Sequence, residues 1–138
     1  MSTQARDDSL VHVLMELNRQ LVRQLSGDGL PVEQWRVLSL LHANPDGMTM
    51  RALGEGLSIA APSMTKLIDR MVNEALVYRV PNPSDRRNVV ILASDKGKAL
   101  RDEADGRMGK YEERLSSEFQ PDDIAKLQAM LGRLLVKP

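Results

Sequence analysis

Apolar residues recur along this chain at helical spacing for most of its length. Leu10, Leu14, Leu17, Leu21 and Leu25 step by four and three, reinforced by Val11, Val13 and Val22, which predicts a helix over 10–25. SGDGLP (26–31) interrupts it, because glycine ends helices readily and Pro31 can open the next. A second helix is predicted over about 32–43, with Trp35, Leu38 and Leu41 inward, and NPDG (44–47) is a turn. Thr49 is a good N-cap for a short helix whose Met50, Leu53 and Leu57 share a face; Gly54 and Gly56 weaken that helix, so packing must hold it. After a tight turn at SIAA (58–61), Pro62 suits a first helical position. Met64, Leu67, Ile68, Met71 and Val72 then follow the i, i+3, i+4, i+7, i+8 pattern of an amphipathic helix over 62–75.

The period changes after that helix. LVYRVP and NVVILA are short and rich in β-branched residues, and PNPSDRR lies between them. Two such runs joined by turn residues predict an antiparallel hairpin, with Pro81 confined to a strand end or an edge. A long helix is predicted from about Asp95, with Leu100, Ala104, Met108, Tyr111 and Leu115 on one face. A last helix follows Pro121, with Ile124, Leu127, Leu131 and Leu134. The predicted fold is mainly α: a winged helix–turn–helix with a small β-hairpin wing over 30–95, and a helical region formed by 1–29 and 96–138. The terminal helices carry seam-like apolar faces, which pack on each other within a subunit or across a dimer.

Charge changes this picture in one respect. Nineteen basic residues balance nineteen acidic ones, so any anion-binding surface must be local. Residues 49–87 hold six cations (Arg51, Lys66, Arg70, Arg79, Arg86, Arg87) against four acids (Glu55, Asp69, Glu74, Asp85), a surplus of two where the helix–turn–helix and hairpin fall. Ser63, Lys66, Arg70 and Asn73 form one polar ridge opposite the apolar stripe, with Pro62 and Thr65 beside it. Those side chains reach phosphates and base edges, and the second helix of such a unit is the one offered to a major groove. Any amphipathic helix also has a solvated face, so the ridge gains its meaning from that context. Asp69 and Glu74 are expected to partner nearby arginines. At the hairpin tip an arginine can enter a narrow minor groove, and a neighbouring carboxylate can hold its guanidinium. A merely solvated turn is the competing reading.

LVYRVPNPSDRRNVVILASDKGKAL resembles the wing signature of the MarR family of winged helix–turn–helix transcription regulators, PSMTKLIDRM resembles that family's recognition helix, and LPVEQWRVLSLL resembles the helix before it. The resemblance implies a dimeric regulator, most simply a repressor, bound to a pseudo-palindromic duplex site, with 1–29 and 96–138 as its helical dimerisation region. It implies that Arg87 enters the minor groove with Asp85 orienting it. Arg86 would meet the backbone or pair with Asp69. Ser63, Thr65 and Lys66 would meet the major groove or its phosphates, Pro62 starting their helix and Arg70 continuing the ridge. Where the family usually has glycine, this chain has Ala75, so either the turn is remodelled or a left-handed alanine is tolerated. Ser94 or Asp95 is the expected cap of the long helix. The alternative function is a winged-helix module that binds protein without sequence-specific DNA recognition.

The remaining chemistry is sparse. The chain has no cysteine, and His12 and His42 lie on different predicted helices, so no metal or cofactor site is expected. No nucleophile triad or glycine-rich phosphate loop stands out, which argues against an enzyme. The start, MSTQARDDSL, holds no apolar run and nothing approaches a membrane span, so no signal peptide or membrane is expected and the location is cytoplasmic. Trp35 is a candidate wall for a small aromatic effector, as that region is in relatives that bind such molecules, with Met15, Met64, Met108 and Tyr111 as companions. Ordinary core packing competes for the same side chains.

Overall fold

The computed structural model describes residues 9–27 and 29–135; the outermost residues of the expected dimerisation segments lie outside that range. The chain runs α1 (Leu10–Ser26), α2 (Val32–Ala43), β1 (Met48–Thr49), α3 (Met50–Leu57), α4 (Ala61–Asn73), β2 (Val77–Pro81), β3 (Val89–Ala93), α5 (Asp95–Glu118) and α6 (Pro121–Gly132). Apolar spacing thus locates every helix to within about two residues, the usual ambiguity of helix ends. Helix α4 starts one residue earlier than expected, at Ala61, which puts Pro62 inside the first turn, where its missing N–H costs nothing.

The strands form an antiparallel sheet of order β1-β3-β2. Strand β1 was not foreseen, since two residues are too few to show a period of two; Met48 and Thr49 pair with Ile91 and Val90. Pro81 closes β2, an edge strand, where no neighbour requires its amide. One hydrophobic core joins these elements. Met64, Ile68 and Met71 of α4 pack with Leu38 and Leu41 of α2, Leu53 and Leu57 of α3, Val77 and Ile91 of the sheet, and Ala104 of α5. Fully burying one such large side chain stabilises by about 2 kcal/mol, so this cluster is what holds the glycine-weakened α3 in place.

Two close approaches explain residues that the apolar pattern alone does not. A Cβ on Gly54 would stand 2.9 Å from the Ile59 carbonyl oxygen, and Ile59 N–H donates back to Gly54 O at 2.9 Å. Gly54 therefore permits the tight α3–α4 turn. A Cβ on Gly97 would lie 2.2 Å from Leu76 O, so α5 can start against the end of α4 only with glycine there.

At that end, Ala75 adopts φ +61. The left-handed alanine is tolerated and the turn keeps its form. Leu76 N–H donates to Met71 O at 2.8 Å and Ala75 N–H to Val72 O at 3.0 Å, the paired bonds of a Schellman cap with Leu76 buried. Ser94 fastens it: its hydroxyl donates to Ala75 O at 2.6 Å and accepts from Gly97 N–H at 3.0 Å, capping α5 as well.

Helices α1 and α6 differ from the rest. No residue of either is buried, and Leu10, Val11, Met15, Leu17 and Leu21 stay exposed, as do Leu127, Met130 and Leu131. Among the described residues, no helix is long and apolar enough to cross a membrane.

Candidate nucleic-acid interface

The buried stripe of α4 fixes which of its residues face outward. Pro62, Ser63, Thr65, Lys66, Arg70 and Asn73 are all exposed. The Thr65 hydroxyl donates to Ala61 O at 3.0 Å, leaving its lone pairs free to accept. Asp69, on the same helix, binds Arg79 of β2, which ties the root of the wing to the reading helix. Asp69 is therefore not the partner of Arg86. Glu74, expected to meet an arginine, accepts from Gln34 Nε2 at 3.1 Å. Among the described residues, Lys66, Arg70, Arg86 and Arg87 make no ion pair, so four cations are free for an anionic partner.

The wing tip is ordered by its own side chains. Asn82 Oδ1 accepts from Ser84 N–H at 3.0 Å, and Asn82 N–H donates to Asn88 O at 2.9 Å across the base of the loop. Asp85 Oδ1 accepts from the Arg87 backbone N–H at 3.1 Å, and Oδ2 from Asn88 Nδ2 at 3.3 Å. Asp85 was expected to orient the Arg87 guanidinium; instead it fixes the Arg87 main chain, because an aspartate two residues back closes an Asx turn more readily than it reaches a long side chain. Arg87 and Arg51 line one cleft of about 380 Å³ together with Thr49, Met50, Asn88 and Val89, and Arg51 pairs with Glu55. Arg51 entered the sequence reading only as a charge, since nothing local shows that the wing folds beside it.

The residues named for an aromatic-effector pocket beside Trp35 lie in different surroundings within the single chain. Met64 is 1% exposed in the core, while Met15 is 65% exposed on α1. Tyr111 is buried on α5 beneath Arg114, and Met108 is half-buried on the same helix. Trp35 Nε1 donates to Asp105 Oδ1 at 2.8 Å, so the indole is a strut between α2 and α5. These side chains serve different packing surfaces. A cavity of about 440 Å³ lies elsewhere, between α2, the sheet and the start of α5. Leu38, Leu41, Pro45, Tyr78 and Leu92 form its apolar walls, with His42, Lys98 and Arg101 at its polar side.

A family model described as the MarR family matches residues 28–88. The chain is 26% identical over 128 residues to the multiple antibiotic resistance protein MarR of Escherichia coli strain K12, spanning 91% of this chain and 88% of that one. It is also 26% identical over 106 residues to the homoprotocatechuate degradative operon repressor of Escherichia coli, covering 77% of this chain and 71% of the relative. The transcriptional repressor CouR, solved bound to a 23-mer DNA duplex, shares the fold with a TM-score of 0.78 at 26% identity, over 93% of each chain. Wing, reading helix and nearly full-length similarity agree: this chain belongs to the MarR family of winged helix–turn–helix transcription regulators.

Proposed function

We propose that the protein is a cytoplasmic transcription repressor that grips a pseudo-palindromic duplex as a twofold homodimer and acts by binding, without catalysis. The observation that carries this reading is the set of four unpaired cations on two elements tied together by the Asp69–Arg79 pair. In this reading Ser63, Thr65 and Lys66 meet the major groove, Pro62 starts their helix and Arg70 meets a phosphate. Arg87 enters the minor groove from a turn that Asp85 holds rigid, and Arg86 meets the backbone. Segment 30–95 is the DNA-binding lobe, and 1–29 with 96–138 form the dimerisation lobe. The exposed apolar faces of α1 and α6 support that division, since a second copy is the simplest cover for them.

A small effector acts by favouring a dimer geometry whose reading helices no longer match successive major grooves. We assign it the 440 Å³ cavity beside α5, whose apolar walls and cationic side suit a compact aromatic anion. The test is a titration of the protein against genomic fragments by fluorescence anisotropy, repeated with Arg87→Ala. The repressor reading expects tight, salt-sensitive binding to a few fragments and a loss of about tenfold in the variant, typical of one groove-reading arginine. Equal, weak binding by both proteins would instead favour a module that recognises protein.

A further inference from the structure

Three consecutive residues of α2 reach three other elements. Successive residues of an α-helix point about 100° apart, so a run of three sweeps most of its circumference. Gln34 is 2% exposed, and its Nε2 donates to Glu74 Oε2 at 3.1 Å, at the residue that ends α4. Trp35 Nε1 donates at 2.8 Å to Asp105 Oδ1 in the middle of α5, and Arg101 holds the other oxygen of that carboxylate at 2.9 Å. Arg36 Nη2 donates at 3.2 Å to Leu57 O, the last residue of α3, while its Nη1 pairs with Glu33.

Those endpoints bracket the reading helix. Leu57 precedes Ser58, a left-handed residue at φ +56 that sets the direction in which the chain enters α4. Glu74 stands where the chain leaves α4. Asp105 belongs to the helix that continues into the dimerisation lobe. One turn of α2 thus connects both flanks of α4 to α5, and the rest of α2 is locked in the core through Val37, Leu38 and Leu41.

We propose that Gln34, Trp35 and Arg36 form a positioning junction that sets the angle of α4 relative to α5, and thereby governs discrimination among DNA sequences without touching DNA. The proposal rests on the DNA-binding reading above. Base edges demand placement of the reading side chains, whereas phosphates accept a cation over a wide range of positions. A loosened junction therefore lowers specific affinity and spares non-specific affinity.

The experiment compares wild type, Trp35→Phe, Asp105→Asn, Asp105→Ala and the double variant Trp35→Phe/Asp105→Ala on the best-bound genomic fragment and on a scrambled duplex, across a salt series. Phenylalanine keeps an aromatic ring but removes the donor and part of the indole's bulk; asparagine keeps one acceptor oxygen for the Trp35 N–H and gives up the pair with Arg101. The expected result is a drop of about tenfold in the specific-to-scrambled ratio for Trp35→Phe and for Asp105→Ala, comparable to losing one good base contact. The double variant should be no worse than the weaker single one, Asp105→Asn should keep more discrimination than Asp105→Ala, and the affinity and salt slope on scrambled DNA should not move. A ratio unchanged by Trp35→Phe in a protein whose wild type discriminates would overturn the junction alone. So would losses that add in the double variant, or affinities that fall equally on both duplexes together with the thermal midpoint. A wild type that prefers no fragment would overturn both the junction and the DNA-binding reading.

Discussion

Helices α4 and α1 are both amphipathic with apolar residues at steps of three and four, yet they end in opposite environments. In α4 the stripe Met64, Ile68, Met71 is covered on every side by the same chain. In α1 the seam Leu10, Leu17, Leu21 remains open, with residual exposures of 64%, 41% and 40%. The same periodicity therefore encodes two things. In α4 it specifies an intramolecular core that aims a polar ridge outward. In α1 and α6 it leaves an apolar face open among the described residues, the face that the proposed second copy would complete.

That contrast can be broken from either side. The largest effect is expected from Ile68→Ala: a buried isoleucine truncated in a full core should cost about 4 kcal/mol, read as a lower urea midpoint that does not depend on dimer formation. Leu17→Glu combined with Leu21→Glu attacks the other face. Sedimentation should then report monomers, and operator affinity should fall about a hundredfold as the two half-sites lose their linkage, while the helical signal of the winged lobe persists. Asp85→Ala sharpens the account of the wing. Electrostatics alone would tighten DNA binding when an acid leaves, but losing the bond to the Arg87 N–H should weaken it about fivefold, near 1 kcal/mol. The smallest effect is a gain: Ala75→Gly should stabilise by somewhat under 1 kcal/mol, measured by thermal unfolding, because glycine meets no steric penalty at φ +61.

What the sequence discloses follows the same division. Local periods and caps locate the helices, the hairpin, the Thr49 cap and the Ser94 cap, since each depends on residues within a few positions. The wing arginines and the ridge of α4 were legible for the same reason. Strand β1 was not, because Met48 and Thr49 become a strand only when β3 passes beside them. Trp35 was named as a pocket wall from the family resemblance, and its bond to Asp105, seventy residues away, has no local signal. Arg51 and Arg87 line one cleft only through the return of the hairpin. The companions named beside Trp35 were hard to place for a related reason: methionines at helical spacing declare a buried face but not which neighbour fills it, and Met64 is taken by the core.

The central claim is a twofold grip on duplex DNA, and a hydroxyl-radical footprint on the best-bound genomic fragment, paired with the stoichiometry of that complex, tests it most directly. The account predicts two chains per duplex and two symmetric protected patches centred about 10 bp apart or a multiple of that. One chain on one patch, or protection spread evenly along the fragment, would contradict it.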